Sequence, residues 1–367
     1  MIRQAARSFA QNVIRPQVGA IESASAMSPE FVTSLFEQGF MSVEVPEEYS
    51  GVGGSFADSL DVVREVAKVE PACSLLIDIQ NTLIQPMMAK YANEDQKARY
   101  WPSLATDTVG CFALSEASSG SDAFALKTSA KDNGDGTWTL DGSKMWISNS
   151  DHGGLFFVFA NTGSHYRDIR CFIVPRDSPG LEVAAPENKL GLRGSATCAL
   201  HLDSVVVPAE NMLEHPGHKI AIESLSAGRI AIGAQMLGIA EGALAETWPI
   251  LQERKQFGQP IYEFQAVKHQ FGELRAQTMA VEALVDKAAG MYEEGEPFLA
   301  EACAAKLLAG RLAQNVTSKC IDLVGGIGFC EDLALAKLYR DSKIGTIYEG
   351  TDNIQLDTLG KVPLSDE

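Results

Sequence analysis

The sequence predicts a mainly α-helical protein with a central β-barrel, and three observations support this. Apolar residues recur at helical spacing through residues 1–108. From about Gly110 to Pro208 the chain turns rich in Thr, Val, Trp and Gly, with short alternating runs. Near Ile220 the helical period returns and persists almost to the end. The expected domains are an N-terminal helical domain (1–108), a middle β-barrel domain (109–215) and a C-terminal four-helix bundle (216–367).

In the first region, residues 5–18 form an expected amphipathic helix with Phe9, Val13 and Ile14 on one side. Ser28-Pro29-Glu30 is a helix start, a capping hydroxyl followed by proline at the first helical position. Phe31, Leu35 and Phe36 follow at helical spacing, and Gly39 closes the helix. Residues 46–54 read as a loop, and 58–68 and 80–91 as helices. In the middle region Asn133-Gly134 and Asp135-Gly136 precede the alternating run Thr137–Leu140, a hairpin signal. Short strands are expected at 171–174, 181–183 and 204–207. Four long helices are expected in the last region, at 219–253, 261–292, 298–324 and 333–361, with Pro249, Pro260, Pro297 and Pro363 as punctuation.

Composition excludes several functions. The 367 residues carry a formal net charge of -18, which a phosphate backbone would repel, so no nucleic-acid partner is expected. The seven cysteines are odd in number and none is spaced as C-x-x-C, which argues against a disulfide scaffold or zinc ribbon. No run of 18 apolar residues is present, so no membrane span is expected. H-E-x-x-H, Walker and G-x-G-x-x-G nucleotide motifs are absent. Gly51, Gly53 and Gly54 read as a turn. His215 and His218 alone do not make a metal site, and no metal is expected.

Three segments carry chemical signals. Phe112-Ala113-Leu114-Ser115-Glu116-Ala117-Ser118-Ser119-Gly120-Ser121-Asp122 runs from an apolar strand into hydroxyls, glycine and acids, a loop able to offer donors to an oxygen-rich ligand; an ordinary Ser/Gly loop is the alternative. Met145-Trp146-Ile147-Ser148 ends a strand in polar residues, and Trp146 is either a core residue or a flat face for a planar group. In Gly345-Thr346-Ile347-Tyr348-Glu349-Gly350-Thr351-Asp352-Asn353 a carboxylate follows apolar residues and precedes glycine. An apolar pocket would raise its pKa and suit it to proton abstraction; a solvated acid at a helix break is the alternative.

Taken together and in this order, these segments resemble the acyl-CoA dehydrogenase family, nearly end to end from Phe9 to Gln355. The stretches 79–84, 124–128, 186–193 and 345–350 are most similar to its short/branched-chain members. The resemblance implies an N-terminal helical domain, a middle β-barrel and a C-terminal four-helix bundle. It also implies FAD as cofactor, an acyl-CoA substrate, electron-transfer flavoprotein as acceptor, and a homotetramer or dimer. It assigns Glu349 as the catalytic base that removes the α-proton while the β-hydrogen passes to the flavin. FAD contacts are implied at Phe112, Leu114, Ser115, Gly120, Ser121, Trp146, Ile147, Ser148, Arg254, Phe257, Gln265, Asp322, Leu323, Gly325, Gly326, Thr351 and Asn353. Substrate contacts are implied at Ser121, Tyr166, His218, Ser226, Arg229, Tyr348 and Gly350. A minority of the family place the base immediately before the arginine matching Arg229; here that position is Gly228, in agreement with Glu349 as the base.

The expected reaction is therefore α,β-dehydrogenation of a short or 2-methyl-branched acyl-CoA, in bacterial cytoplasm or a mitochondrial matrix. Three other readings share the sequence features: an acyl-CoA oxidase using O2 on the same fold, a flavin monooxygenase, which would have no use for Glu349, and a flavin-free binding protein derived from the enzyme.

Overall fold

The computed structural model describes residues 1–363, so the last four positions of the 216–367 segment lie outside the described residues. The first region holds α1 (Ile2–Phe9), α2 (Val18–Ala24), α3 (Pro29–Glu37), α4 (Phe56–Ala67), α5 (Pro71–Asp78), α6 (Gln85–Tyr91) and α7 (Glu94–Thr106). A π-helical turn (Ala10–Ile14) and a 3-10 turn (Arg15–Gln17) join α1 to α2. Ser28 caps α3 by accepting from the Phe31 N–H, and Gly39 past its end has φ 73°. The helix expected to start at Gln80 in fact starts at Pro71. Its first turn is set by that proline and by Glu70, whose carboxylate accepts from the Ala72 N–H at 3.1 Å. A π-helical segment, Ile79–Ile84, carries α5 directly into α6.

The middle region is a seven-stranded sheet: β1 (Val109–Ala113), β2 (Ser129–Asp132), β3 (Thr137–Ser148), β4 (Gly153–Asn161), β5 (Ile169–Pro175), β6 (Leu181–Val183) and β7 (Thr197–Pro208). Strand order is β1-β4-β2-β3-β7-β6, with β5 on the other edge of β4. The hairpin expected at Asn133–Gly136 joins β2 to β3, with Gly134 and Gly136 both at positive φ. The expected closed barrel is not formed. Its edge strands β5 and β6 do not pair, β6 spans only three residues, and β2 meets β4 at one pair, Ser129 and Asn161. A barrel needs an unbroken ladder around its whole girth. The outer edge of β5 is met instead by the chain after β7, where the Leu213 N–H donates to the Cys171 carbonyl at 2.9 Å.

The sheet is buried on both faces at β4 and β5. Phe156, Val158 and Ala160 of β4 pack with Phe172 and Val174 in the sheet's own core. Leu155, Phe157 and Phe159 point the other way and join the large core shared with the helices. This two-sided burial explains the continuous apolar run Leu155–Ala160, where a half-buried strand would alternate.

The last region has α8 (Gly217–Glu253), α9 (Gln265–Glu293), α10 (Leu299–Val324), α11 (Ala334–Ser342) and α12 (Asp352–Lys361). Three of the four expected long helices match α8, α9 and α10. The fourth, expected over 333–361, is broken. It becomes α11, a 3-10 turn (Lys343–Thr346) and then α12, with residues 347–351 between them in non-helical conformation. The physical cause is a left-handed pair, Glu349 (φ 50°) and Gly350 (φ 88°), which no right-handed helix accommodates. The long α8 joins the regions: at Gly238 a Cβ would stand 2.4 Å from the Arg64 carbonyl of α4, so glycine there permits a close approach of the two helices.

Candidate active site

All three regions contribute to one cleft of about 750 Å3. Leu75, Ile79 and Leu83 supply a wall from one face of the α5–α6 helix, at spacing i, i+4, i+8. Phe112, Leu114 and Ser115 enter from the end of β1, followed by Gly120 and Ser121 on the exposed loop. Trp146, Ile147 and Ser148 enter from β3, where the pairing with β7 is irregular between Lys144 and Ile147. That bulge and a φ of 62° turn Trp146 out of the sheet, leaving it 53% exposed at the cleft. It is therefore a presented aromatic face and not a core residue. The remaining walls include residues 189–192, Ile222, Leu225 and Arg229 of α8, and the break at 347–351.

Glu349 sits at that break. Its Oε2 is buried without a hydrogen-bond partner among the described residues, and burial pushes the carboxyl up to about 7 against the opposing pull of Arg229 and Lys306. A Cβ on Gly228 would stand 3.1 Å from this oxygen and 3.1 Å from Leu83 Cδ2. Glycine at 228 thus gives the carboxylate its place. The backbone is held from behind: Gln355 Nε2 donates to the carbonyls of Glu349 and Gly350, each at 2.9 Å, and Lys306 Nζ donates to Gly350 at 2.6 Å. Tyr348 donates its hydroxyl to Gln235 Oε1. Asp78, in α5, is a second buried acid. Burial, aided by the charge of Glu349, raises it to about 8 against the opposing hydrogen bond that Thr82 donates at 2.6 Å.

The loop after β1 rests on a buried ion pair. Lys144 Nζ donates to Glu116 at 2.9 Å and to the Leu114 carbonyl at 3.1 Å, and Glu116 also accepts from the N–H groups of Lys127 and Thr128. The Met145 N–H to the Ser115 carbonyl (2.9 Å) ties the same loop to β3.

Of the residues singled out in the sequence, Phe112, Leu114, Ser115, Gly120, Ser121, Trp146, Ile147, Ser148, Arg229, Tyr348, Glu349, Gly350 and Thr351 line the cleft. Tyr166 is exposed nearby, its ring 5.4 Å from His218 and 6.3 Å from Phe124, which lines the cleft. Ser226 lines a neighbouring cavity of about 370 Å3 with Ile222, which borders both; its hydroxyl donates to the Ile222 carbonyl at 2.7 Å. Asn353 is exposed in the first turn of α12. Arg254, Phe257, Gln265, Asp322, Leu323, Gly325 and Gly326 do not line the cleft. Arg254 donates to the Val324 carbonyl beside Gly325, while Phe257 is 93% exposed.

Models of the acyl-CoA dehydrogenase N-terminal, middle and C-terminal domains match residues 1–108, 111–205 and 215–364. The chain belongs to the acyl-CoA dehydrogenase family. It is 47% identical to the mitochondrial short/branched chain specific acyl-CoA dehydrogenase of Rattus norvegicus, over 98% of this chain and 84% of that one. Among solved structures it is similar to butyryl-CoA dehydrogenase from Megasphaera elsdenii, with a TM-score of 0.95, 34% identity and coverage of 98% and 96% of the two chains. It is also similar to a glutaryl-CoA dehydrogenase from Mycobacterium smegmatis in complex with FADH2, with a TM-score of 0.93, 25% identity and coverage of 98% and 92%. Family membership makes the chain an oxidoreductase of a flavoprotein family.

The sequence does not single out Leu75 and Ile79, which line this acyl-CoA dehydrogenase cleft, or Lys144, Lys306 and Gln355, which hold its loop and turn. The i, i+4, i+8 stripe of Leu75, Ile79 and Leu83 is a usable signal, but a helix beginning at Gln80 excludes its first two members. The two lysines gave none, since nothing in their sequence neighbours marks them as buried.

Proposed function

We propose that this protein dehydrogenates a short or 2-methyl-branched acyl-CoA to the 2-enoyl-CoA, with FAD as cofactor and Glu349 as base. The observation that carries the reading is the unpartnered, buried Glu349 carboxylate facing a cleft lined by all three regions. The residues present suit a flavin: Trp146 offers a bare aromatic face, Ser115, Ser121, Ser148 and Thr351 offer hydroxyls, and the cleft volume falls in the range of cofactor and small-molecule sites. Bound there, FAD would supply the two-electron acceptor for the β-hydrogen.

The chain's own residues do the rest. Glu349, ionised above about pH 7, takes the α-proton of the thioester. That proton is far less acidic than a carboxyl, so the developing enolate oxygen needs donors placed for it in advance, and the Glu349 N–H in its left-handed turn is the proposed donor. The apolar wall of Leu75, Ile79 and Leu83 excludes water from the acyl group and strengthens these contacts. Arg229 and Tyr166, with Ser121, His218, Ser226, Tyr348 and Gly350, are the proposed contacts for the CoA thioester.

Arg254, Phe257, Gln265, Asp322, Leu323, Gly325 and Gly326 lie outside the cleft of the single chain, so their proposed FAD contacts would be made across a subunit boundary in a homotetramer or dimer; Asn353, between the lining Thr351 and Ile354, is a proposed FAD contact at the cleft's edge. Electron-transfer flavoprotein is the proposed acceptor, in bacterial cytoplasm or a mitochondrial matrix. Rates across straight and branched acyl-CoAs, measured by reduction of electron-transfer flavoprotein and by peroxide release, test the proposal. Turnover of short and 2-methyl-branched thioesters without peroxide is expected. Peroxide in step with turnover would favour the oxidase reading instead.

A further inference from the structure

Behind Glu349 lies a buried cation to which the mechanism above gives no part. Lys306, in α10, is fully buried, and its Nζ donates to the Gly350 carbonyl at 2.6 Å. The charged and titratable groups facing it are Asp352 at the start of α12, Glu349, Arg229 of α8 and Cys303 of its own helix. Asp352 is engaged elsewhere, by Arg311 at 2.9 Å. Burial pushes the ammonium down to about 8, so placing it there is unfavourable unless something nearby gains.

What gains is the turn that presents the base. Glu349 at φ 50° and Gly350 at φ 88° hold a conformation that a glutamate adopts only under constraint. Lys306 and the buried Gln355 are the donors that fix its two carbonyls. We propose that Lys306 is a positioning residue for the dehydrogenation: it clamps the Gly350 carbonyl so that the Glu349 side chain faces the cleft, and its charge favours the ionised carboxylate. This rests on the reading of Glu349 as the base.

The two roles separate by substitution in the FAD-loaded enzyme. Lys306→Gln keeps a donor and removes the charge, whereas Lys306→Met removes both. The readout is the acid limb of kcat/KM, which reports the free enzyme's base. The groups acting on that base are Arg229 of α8, Lys306 of α10 and Asp78 of α5, and the first and last are unchanged in both variants. Both variants should move the limb upward by about one pH unit or more. Lys306→Met should also lose about tenfold or more in kcat on the alkaline plateau, from the loosened turn. Flavin content and thermal midpoint show whether each variant folds, and if Lys306→Met does not, Lys306→Gln decides. A limb at the wild-type pH in the folded variants overturns the proposal. Glu349→Gln separates this from the parent reading: if it turns over, the base assignment itself falls, whereas if it is inactive and the limb is unmoved, only the role of Lys306 falls.

Discussion

Glu349 is held where it is by its neighbours, not by its own preference. A left-handed turn and two donors on its carbonyls fix the direction of the carboxylate, and burial raises its pKa against the pull of Arg229 and Lys306. Gly228 is the tightest of those neighbours. Gly228→Ala would press a methyl against both Oε2 and Leu83, and turnover should fall by about tenfold to a hundredfold with the fold intact, as steady-state kinetics and circular dichroism would show. Asp78 supports a second prediction. Its folded carboxyl titrates near 8 against an ordinary 3.8, so the native state holds a proton that the unfolded chain gives up. That contribution to stability is complete below about pH 4 and is lost as pH rises through about 8. Asp78→Asn cannot ionise, so between about pH 4 and 8 the wild-type thermal midpoint should fall relative to that of the variant; parallel curves would refute it. The flanking apolar residues and glycine left Glu349 open between a base and a solvated acid, and the family resemblance singled it out. Asp78 and Lys306 were not legible in sequence, because their burial comes from helices distant in the chain.

At the scale of elements, the hairpin at Asn133–Gly136 and the strand at 181–183 were legible because each depends on local turn chemistry or alternation. Closure of the sheet was not, since it depends on whether two distant edges meet. The broken fourth helix is more instructive. Its apolar period continues through the break, and the interruption comes from the left-handed pair at Glu349 and Gly350, so helical pattern alone could not show it. Its position is also fixed by a buried charge cluster. Lys337 of α11 donates to Glu70, next to α5, at 2.7 Å and to Asp341 at 2.6 Å, while Asp341 accepts from the Leu192 N–H of the cleft wall at 2.6 Å. Lys337→Met would leave two buried carboxylates facing each other. A loss of about 3–5 kcal/mol is expected, read as a lowered denaturation midpoint. A midpoint equal to wild type would show that the cluster adds nothing.

At the scale of the molecule, the α–β–α order was legible from periodicity alone, whereas the way the three regions meet around one cleft was not, because it depends on contacts such as that of Gly238 with α4. The single chain leaves Phe257 93% and Phe329 86% exposed, near the ends of α8 and α10. With a homotetramer or dimer proposed, Phe257→Ser combined with Phe329→Ser should shift the sedimentation profile toward smaller species. It should also lower flavin retention, since Arg254 and Gly325 lie on the same surface. Unchanged sedimentation would place the interface elsewhere.

The central claim is that one carboxylate removes the α-proton, and anaerobic mixing of FAD-loaded enzyme with a short acyl-CoA tests it most directly. In the wild type the flavin colour should bleach rapidly. In Glu349→Gln, with flavin content and substrate affinity retained, bleaching should slow by about a thousandfold or more. Bleaching at a near wild-type rate in that variant would contradict the account.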